Sequence, residues 1–147
     1  MVPREKMESL EATLPSERVL EAVRSGAHTR MPVYEGELDK IVGVVNTKDL
    51  FYLFSLHGVV VLDDAIYPAL FLKPDEAVAK ALKLFRKAKR PMALVRDDEG
   101  RIHGLITLED ILEEIIGDIE DEHDLPLLKS SRAGRLRLLR RGPGEKK

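Results

Sequence analysis

The sequence predicts an α/β fold made of two copies of one helix–strand–strand–helix unit, and three observations carry that prediction. The chain repeats itself: residues 30–50 align without gaps on residues 91–111 at an offset of 61, which sets Met31 on Met92, Ile41 on Ile102, Gly43 on Gly104 and Asp49 on Asp110. Upstream, LPSERVLEAV from Leu14 matches LKPDEAVAKAL from Leu72 once a two-residue difference in length is allowed. Around each repeated block, apolar residues recur at helical spacing, and within it they cluster as in short buried strands. Finally, 147 residues of which 44% are hydrophobic can bury a core of ordinary size.

In the first unit, Ser16 reads as the cap of a helix with Val19, Leu20 and Val23 on one face and Gly26 as its terminator. Strands are predicted at 31–34 and 41–45, followed by a closing helix that carries Leu50, Phe51 and Phe54. The connecting stretch, residues 59–72, is short and apolar rather than rich in Gly and Ser, so it should pack as strand or turn instead of swinging as a linker. In the second unit Pro74 and Asp75 read as a helix start, and Val78, Ala81, Leu82 and Phe85 follow as one apolar stripe. Residues 92–95 and 102–106 form a hairpin around Asp97, Asp98, Glu99 and Gly100. Thr107 then opens a helix striped by Leu108, Ile111, Leu112, Ile115 and Ile116, with Gly117 as its predicted stop. The predicted division is 1–60 for the first repeat, 61–124 for the second and 125–147 for a charged tail. That tail, basic through Lys129, Arg132, Arg135, Arg137, Arg140 and Arg141, reads as a disordered, solvated extension, and no function is assigned to it.

Composition excludes several classes. A net charge of −2 argues against a dedicated nucleic-acid binder, whose affinity rests on neutralising phosphates. The absence of cysteine removes disulfides, thiolate metal sites and a Cys nucleophile. No apolar run approaches the ~18 residues of a membrane span, and the N-terminus has no secretory apolar core, so a soluble, cytoplasmic chain is expected. Asn46 is the sole Asn and Gln is absent while Glu, Lys and Arg abound, a bias of proteins from hot environments.

Thr107 and Asp110 stand in the pattern Thr-x-x-Asp at a helix start. As a capping box, the hydroxyl accepts from a backbone amide three residues on and the carboxylate complements the positive helix end. The same geometry can instead serve a ligand, with hydroxyl and amides facing a phosphate or ribose oxygen and the carboxylate accepting from ribose hydroxyls. The first repeat has Asn46 and Asp49 at the equivalent places, a different acceptor that makes a weaker second site. Gly43 and Gly104 either admit a close approach of backbone or ligand, or relieve a strand. Glu109, Glu113, Glu114, Asp118, Glu120, Asp121 and Glu122 could suggest a divalent-cation site, but Glu109 and Glu113 lie on the polar face opposite the apolar stripe, as on a solvated helix, and no metal site is assigned. His28, His57, His103 and His123 lack ligand spacing. With no nucleophile elbow, P-loop or paired catalytic acids, no enzyme activity is expected.

The repeated glycine, two apolar residues, Thr or Asn, two residues and Asp, following a hairpin and opening a helix, resembles a cystathionine-β-synthase-type (CBS) domain. Two in tandem look like a CBS pair, or Bateman module. More narrowly, MVPR, TRMPVYEGELDKIVGVVNTKDL and GLITLEDILEEIIGDIEDEHD are similar to the CBS pair of the CorC/hemolysin C family linked to magnesium and cobalt efflux, over about residues 1–124. The resemblance implies two βαββα-like repeats related by pseudo-twofold symmetry, a homodimer, and an adenosine nucleotide, ATP or AMP, as ligand, with Mg²⁺ carried by the nucleotide and no cofactor required. It implies too that the loop of His28, Thr29, Arg30 and Pro32, from one repeat, joins the Thr107/Asp110 site of the other. The N-terminal membrane domain of the full family architecture is not in this sequence, so transport itself is expected to lie elsewhere and the chain to act at the cytoplasmic face of such a partner, or as a stand-alone relative. A ligand-free dimerisation scaffold, in which Thr107 and Asp110 only cap, is the competing expectation.

Overall fold

The structure, a computed structural model, describes residues 1–26 and 28–121. In chain order the strands and helices are β1 (Val2–Pro3), β2 (Leu10–Glu11), α1 (Ser16–Ser25), β3 (Arg30–Glu35), β4 (Glu37–Asn46), α2 (Thr47–His57), β5 (Leu70–Leu72), α3 (Val78–Ala88), β6 (Met92–Arg96), β7 (Ile102–Thr107) and α4 (Leu108–Asp121). The chain is thus α/β, and β2 to α2 and β5 to α4 each run strand, helix, strand, strand, helix. The tail assigned to 125–147 and His123 lie outside the described residues.

Two compact units result, one of Glu8–Ala69 and the other of Met1–Met7 with the described residues from Leu70 to Asp121. In the first, β3 pairs antiparallel with β4 and parallel with β2. Its core joins Leu10, Val19, Val23, Val33, Val45 and Leu50 with Val60 and Leu62 from the connecting stretch. Gly36, at φ +83°, makes the tight hairpin turn that lets β4 begin at Glu37, well before the predicted 41. The Glu11 carboxylate locks that turn by accepting from Gly36 N at 3.1 Å and from Thr13 N at 2.8 Å. Ser16 does not cap α1: Pro15 occupies the cap position, and the Ser16 hydroxyl instead donates to Val60 O (2.9 Å) and accepts from Val60 N (2.7 Å). The helix ends at Gly26 as predicted.

The second unit has a four-stranded sheet in the order β1-β7-β6-β5, with β5 parallel to β6 and the other pairs antiparallel. Phe85 of α3, Ile111 of α4, and Ala93, Val95 and Ile106 of the sheet meet in its core with Leu72; full burial of a side chain the size of Phe85 contributes about 1.5–3 kcal/mol. Helix α3 starts at Val78, not at Pro74–Asp75, because those two residues form a turn in which Glu76 N donates to Lys73 O. It closes at Lys89 in the left-handed region, φ 54°, without a glycine. Gly117 does not stop α4, which continues to Asp121; a glycine inside a helix costs about 1 kcal/mol relative to Ala but does not by itself end one.

The compact units also divide the chain differently from 1–60 and 61–124. Residues Met1–Met7, ahead of the first repeat, join the second unit because β1 pairs with β7, Val2 opposite Leu105 and Pro3 opposite Gly104. The stretch ahead of the second repeat stays with the first unit, where Tyr67 bridges Val44. Both repeated glycines answer to this exchange. A Cβ at Gly43 would lie 2.3 Å from Ile66 Cγ2 and 2.6 Å from Tyr67 O, and one at Gly104 would lie 2.2 Å from Val2 O. Each glycine therefore admits a neighbouring stretch of the chain's own backbone.

Candidate functional site

Strand β7 delivers Thr107 to the position just before α4, and its extended backbone leaves the first amides of the helix without carbonyl partners of their own. The sequence meets that demand locally. Thr107 Oγ1 accepts from Asp110 N at 3.1 Å, and Asp110 Oδ2 accepts from Thr107 N at 3.1 Å, a reciprocal capping box. Leu108 N donates to Pro91 O at 2.9 Å. Asp110 keeps about a third of its side chain exposed, at 32%. Thr107 is half-buried. A carboxylate has about four lone-pair positions, so acceptor capacity remains on Asp110 for hydroxyl donors at the positive end of a 14-residue helix.

The equivalent place in the other unit is built differently. Asn46 caps α2 by accepting from Lys48 N at 2.8 Å, and Asp49 is exposed with no such reciprocal bond to Asn46. Two of the predicted loop residues stand beside it: Arg30 is paired with Asn46 across the hairpin, and Thr29 O accepts from Thr47 N at 2.8 Å. Arg30 is half-buried, Thr29 and His28 are exposed, and His28 Nε2 is 3.8 Å from a Glu8 carboxylate oxygen. Pro32 is fully buried, opposite Val44. Thr29 and Arg30 are thus brought to Asn46, and Thr107 to Asp110, each set within its own unit.

Two further residues, to which the sequence assigns no place in the site, flank Thr107. Met92 is paired with it across the hairpin, and Pro91 supplies the carbonyl for Leu108. The signal was present, since adding 61 to Thr29 and Arg30 gives Arg90 and Pro91. The approach of the Met1 nitrogen to Asp110 Oδ2, at 4.0 Å, had no local signal, because it depends on β1 crossing to the second unit. Among the described residues no group of three or more His, Asp or Glu could hold a metal ion, and no helix is long and apolar enough to cross a membrane. Glu109 and Glu113 are exposed.

Comparison with known proteins adds the following. The CBS domain profile matches residues 2–56 and 63–117. The magnesium and cobalt efflux protein CorC of Vibrio cholerae serotype O1 is 38% identical over 125 residues, which are 84% of this chain and 43% of that protein. The chain thus spans less than half the length of the curated relatives it matches. A solved structure of the CBS domain of the bacterial CNNM/CorC family Mg²⁺ transporter in complex with ATP is 36% identical, with a TM-score of 0.71 over 80% of this chain and 84% of that one. A CBS-domain pair with bound AMP from Klebsiella pneumoniae is 26% identical, with a TM-score of 0.72 over 80% and 94%.

Proposed function

Because the chain belongs to the CBS domain family, as a tandem pair homologous to the CBS domain of the CNNM/CorC transporters, we propose that it is a regulatory module that binds an adenosine nucleotide, ATP or AMP. The observation that carries this reading is the agreement of fold and sequence with a neighbour in complex with ATP, together with a helix start in this chain that offers an acceptor carboxylate at its positive end. In this reading Asp110 accepts from the ribose hydroxyls and Thr107 turns its hydroxyl to the ligand. His28, Thr29 and Arg30 are the further binding residues, Arg30 because a permanent guanidinium fork suits phosphate oxygens, while Pro32, fully buried, would shape their strand from beneath. Asn46 and Asp49 make a weaker second site. Mg²⁺ enters with the triphosphate, so its effect belongs to ATP and not to AMP.

The module binds and releases its nucleotide unchanged. A ligand with different affinity for two conformations shifts their populations by that difference, and a divalent-cation transport domain at the membrane's cytoplasmic face is the partner that would sense the shift. The working state is a homodimer. Thermal melts test the reading: a nucleotide at about 100 times its Kd stabilises the native state by about 2.7 kcal/mol, so ATP or AMP should raise the melting temperature while guanosine and cytidine nucleotides should not. Melts indifferent to every adenosine nucleotide would support a second reading, a ligand-free dimerisation scaffold. That reading is favoured by the fully reciprocal Thr107–Asp110 box, which satisfies both residues without a ligand.

A further inference from the structure

We propose that the solvent face of α3 is an electrostatic contact for an anionic lipid surface, an inference that rests on the proposed placement of the module at the membrane's cytoplasmic face and not on its nucleotide. From Val78 to Arg90 the sequence has six cations and no acid. Helix α3 buries Val78, Ala81 and Phe85, while Lys80, Lys83, Arg86, Lys87 and, at the helix end, Lys89 are exposed. Glu76 meets Lys80 at 3.7 Å, but among the described residues Lys83, Arg86, Lys87 and Lys89 have no ion-pair partner. The internal repeat supplies a control. Helix α1 holds the equivalent place in the first unit, and its exposed residues alternate in sign: Glu17, Arg18, Glu21 and Arg24. The fold therefore does not demand a helix of one sign here.

Helix stability does not explain the pattern either. The macrodipole favours Arg86 and Lys87 in the last turn, but it favours acids in the first turn, where α3 has none, and Lys83 with Lys87 is a like-charge pair at i, i+4 that weakens a helix. An opposed anionic surface relieves that repulsion. The face also lacks an anchor for a protein: the exposed apolar residues of α3 are Ala79 and Ala88 alone, whereas a protein partner binds around large desolvated side chains. Ammonium groups on flexible stems read charge density, which a leaflet of acidic headgroups presents without needing a pocket. Helix α4, which shares a core with α3 and carries seven acids and no cation, is repelled by the same surface, so the contact has one orientation. Each cation near such a surface changes partitioning by about five-fold, so these four together reach on the order of several hundred-fold, enough to orient the unit there and too little to hold it alone.

Co-sedimentation of the full chain with vesicles of phosphatidylcholine, alone or mixed with phosphatidylserine, tests the contact. The chain should bind the mixed vesicles, less so as salt rises, and should leave the neutral ones unbound. Lys83→Gln with Lys87→Gln should weaken binding by about 25-fold, while Arg18→Gln with Arg24→Gln, which removes the same charge from α1, should leave it unchanged. All four positions are exposed, where substitutions rarely disturb folding. The basic residues of the tail are present in every variant, so their attraction cancels from the comparison. No binding of the parent to mixed vesicles, equal losses in the two variants, no loss in either, or retention on duplex DNA or polyglutamate in place of the mixed vesicles would each overturn the proposal. Calorimetry of the same proteins with ATP and AMP reports the nucleotide reading separately: a flat titration beside the expected vesicle pattern would remove that reading and leave the lipid contact standing.

Discussion

Asp110 performs a task whose two descriptions differ by a measurable energy. As a cap it accepts one backbone N–H, and Asp110→Asn still offers an acceptor oxygen to Thr107 N, so stability should fall by at most about 1 kcal/mol. If the carboxylate also holds ribose hydroxyls, losing a bond to a charged group costs roughly 1.5–3 kcal/mol of binding, a weakening on the order of ten- to a hundredfold. Asp49→Asn should change affinity little, because Asp49 is exposed and makes no reciprocal bond to Asn46. Calorimetric titration of the two variants beside the parent measures the difference. Asp97 carries a separate prediction. Its carboxylate accepts from Arg101 N (2.9 Å) and Glu99 N (3.0 Å) and meets His103 Nε2 at 2.8 Å. The His103 hydrogen bond first, then that from Arg101 N, hold its pKa below the usual carboxylate value. A depressed folded pKa means stability that is present above the unfolded value, near pH 3.9, and lost as pH falls through the folded one. The stability gap between parent and Asp97→Asn should therefore be open at neutral pH and close in acid below about pH 4, which urea melts across that range can follow.

At the scale of elements, Ser16 ties the start of α1 to the stretch after α2 through both polar groups of Val60. Ser16→Ala leaves a largely buried N–H and C=O unpaired and should cost about 1–3 kcal/mol, seen as a lower denaturant midpoint with an unchanged slope. If Ser16 were merely a helix cap, the cost would lie near the lower end of that range. This residue also shows where local reading of the sequence stops. Its type suits a cap, but its partner is 44 positions away, and nothing in the neighbouring residues announces it. Helices α1 to α4 and the strands of both hairpins were legible because their stripes and runs are local signals that agree with their burial. Gly117 misled because glycine weakens a helix without obliging it to end, and Pro74–Asp75 because a turn uses the same residue types as a helix start. The crossing of β1 to β7 was not legible, although its imprint, Gly104, was, as was Gly43, which makes room for Tyr67 in the other unit. At the candidate site, the capping box could be read directly from Thr-x-x-Asp, whereas the same pattern allowed a ligand role as well, and the family resemblance was what favoured that role.

At the scale of the molecule, apolar side chains remain uncovered on both repeats. Phe51 and Tyr52 of α2 are 45% and 63% exposed, and Leu112, Ile116 and Ile119 of α4, spaced by four and three, are 43%, 54% and 46% exposed. Stripes of this kind call for a partner surface, and a second copy supplies the same chemistry in reverse. Light scattering should give twice the monomer mass of 16.6 kDa for the parent and a shift to monomer for Ile116→Asp. A parent that is monomeric with and without nucleotide would contradict the dimer. In a dimer of that kind a nucleotide-driven change would have something to act on, because a small shift within each copy would be expressed across the shared face. All of this presupposes that the chain takes up an adenosine nucleotide, and equilibrium calorimetry of the purified protein against ATP and AMP, each with and without Mg²⁺, tests that most directly. The account predicts saturable binding of one of the two with one tight site per chain, the other site weaker or silent; no heat of binding from either nucleotide at millimolar concentration, or two equivalent sites, would contradict it.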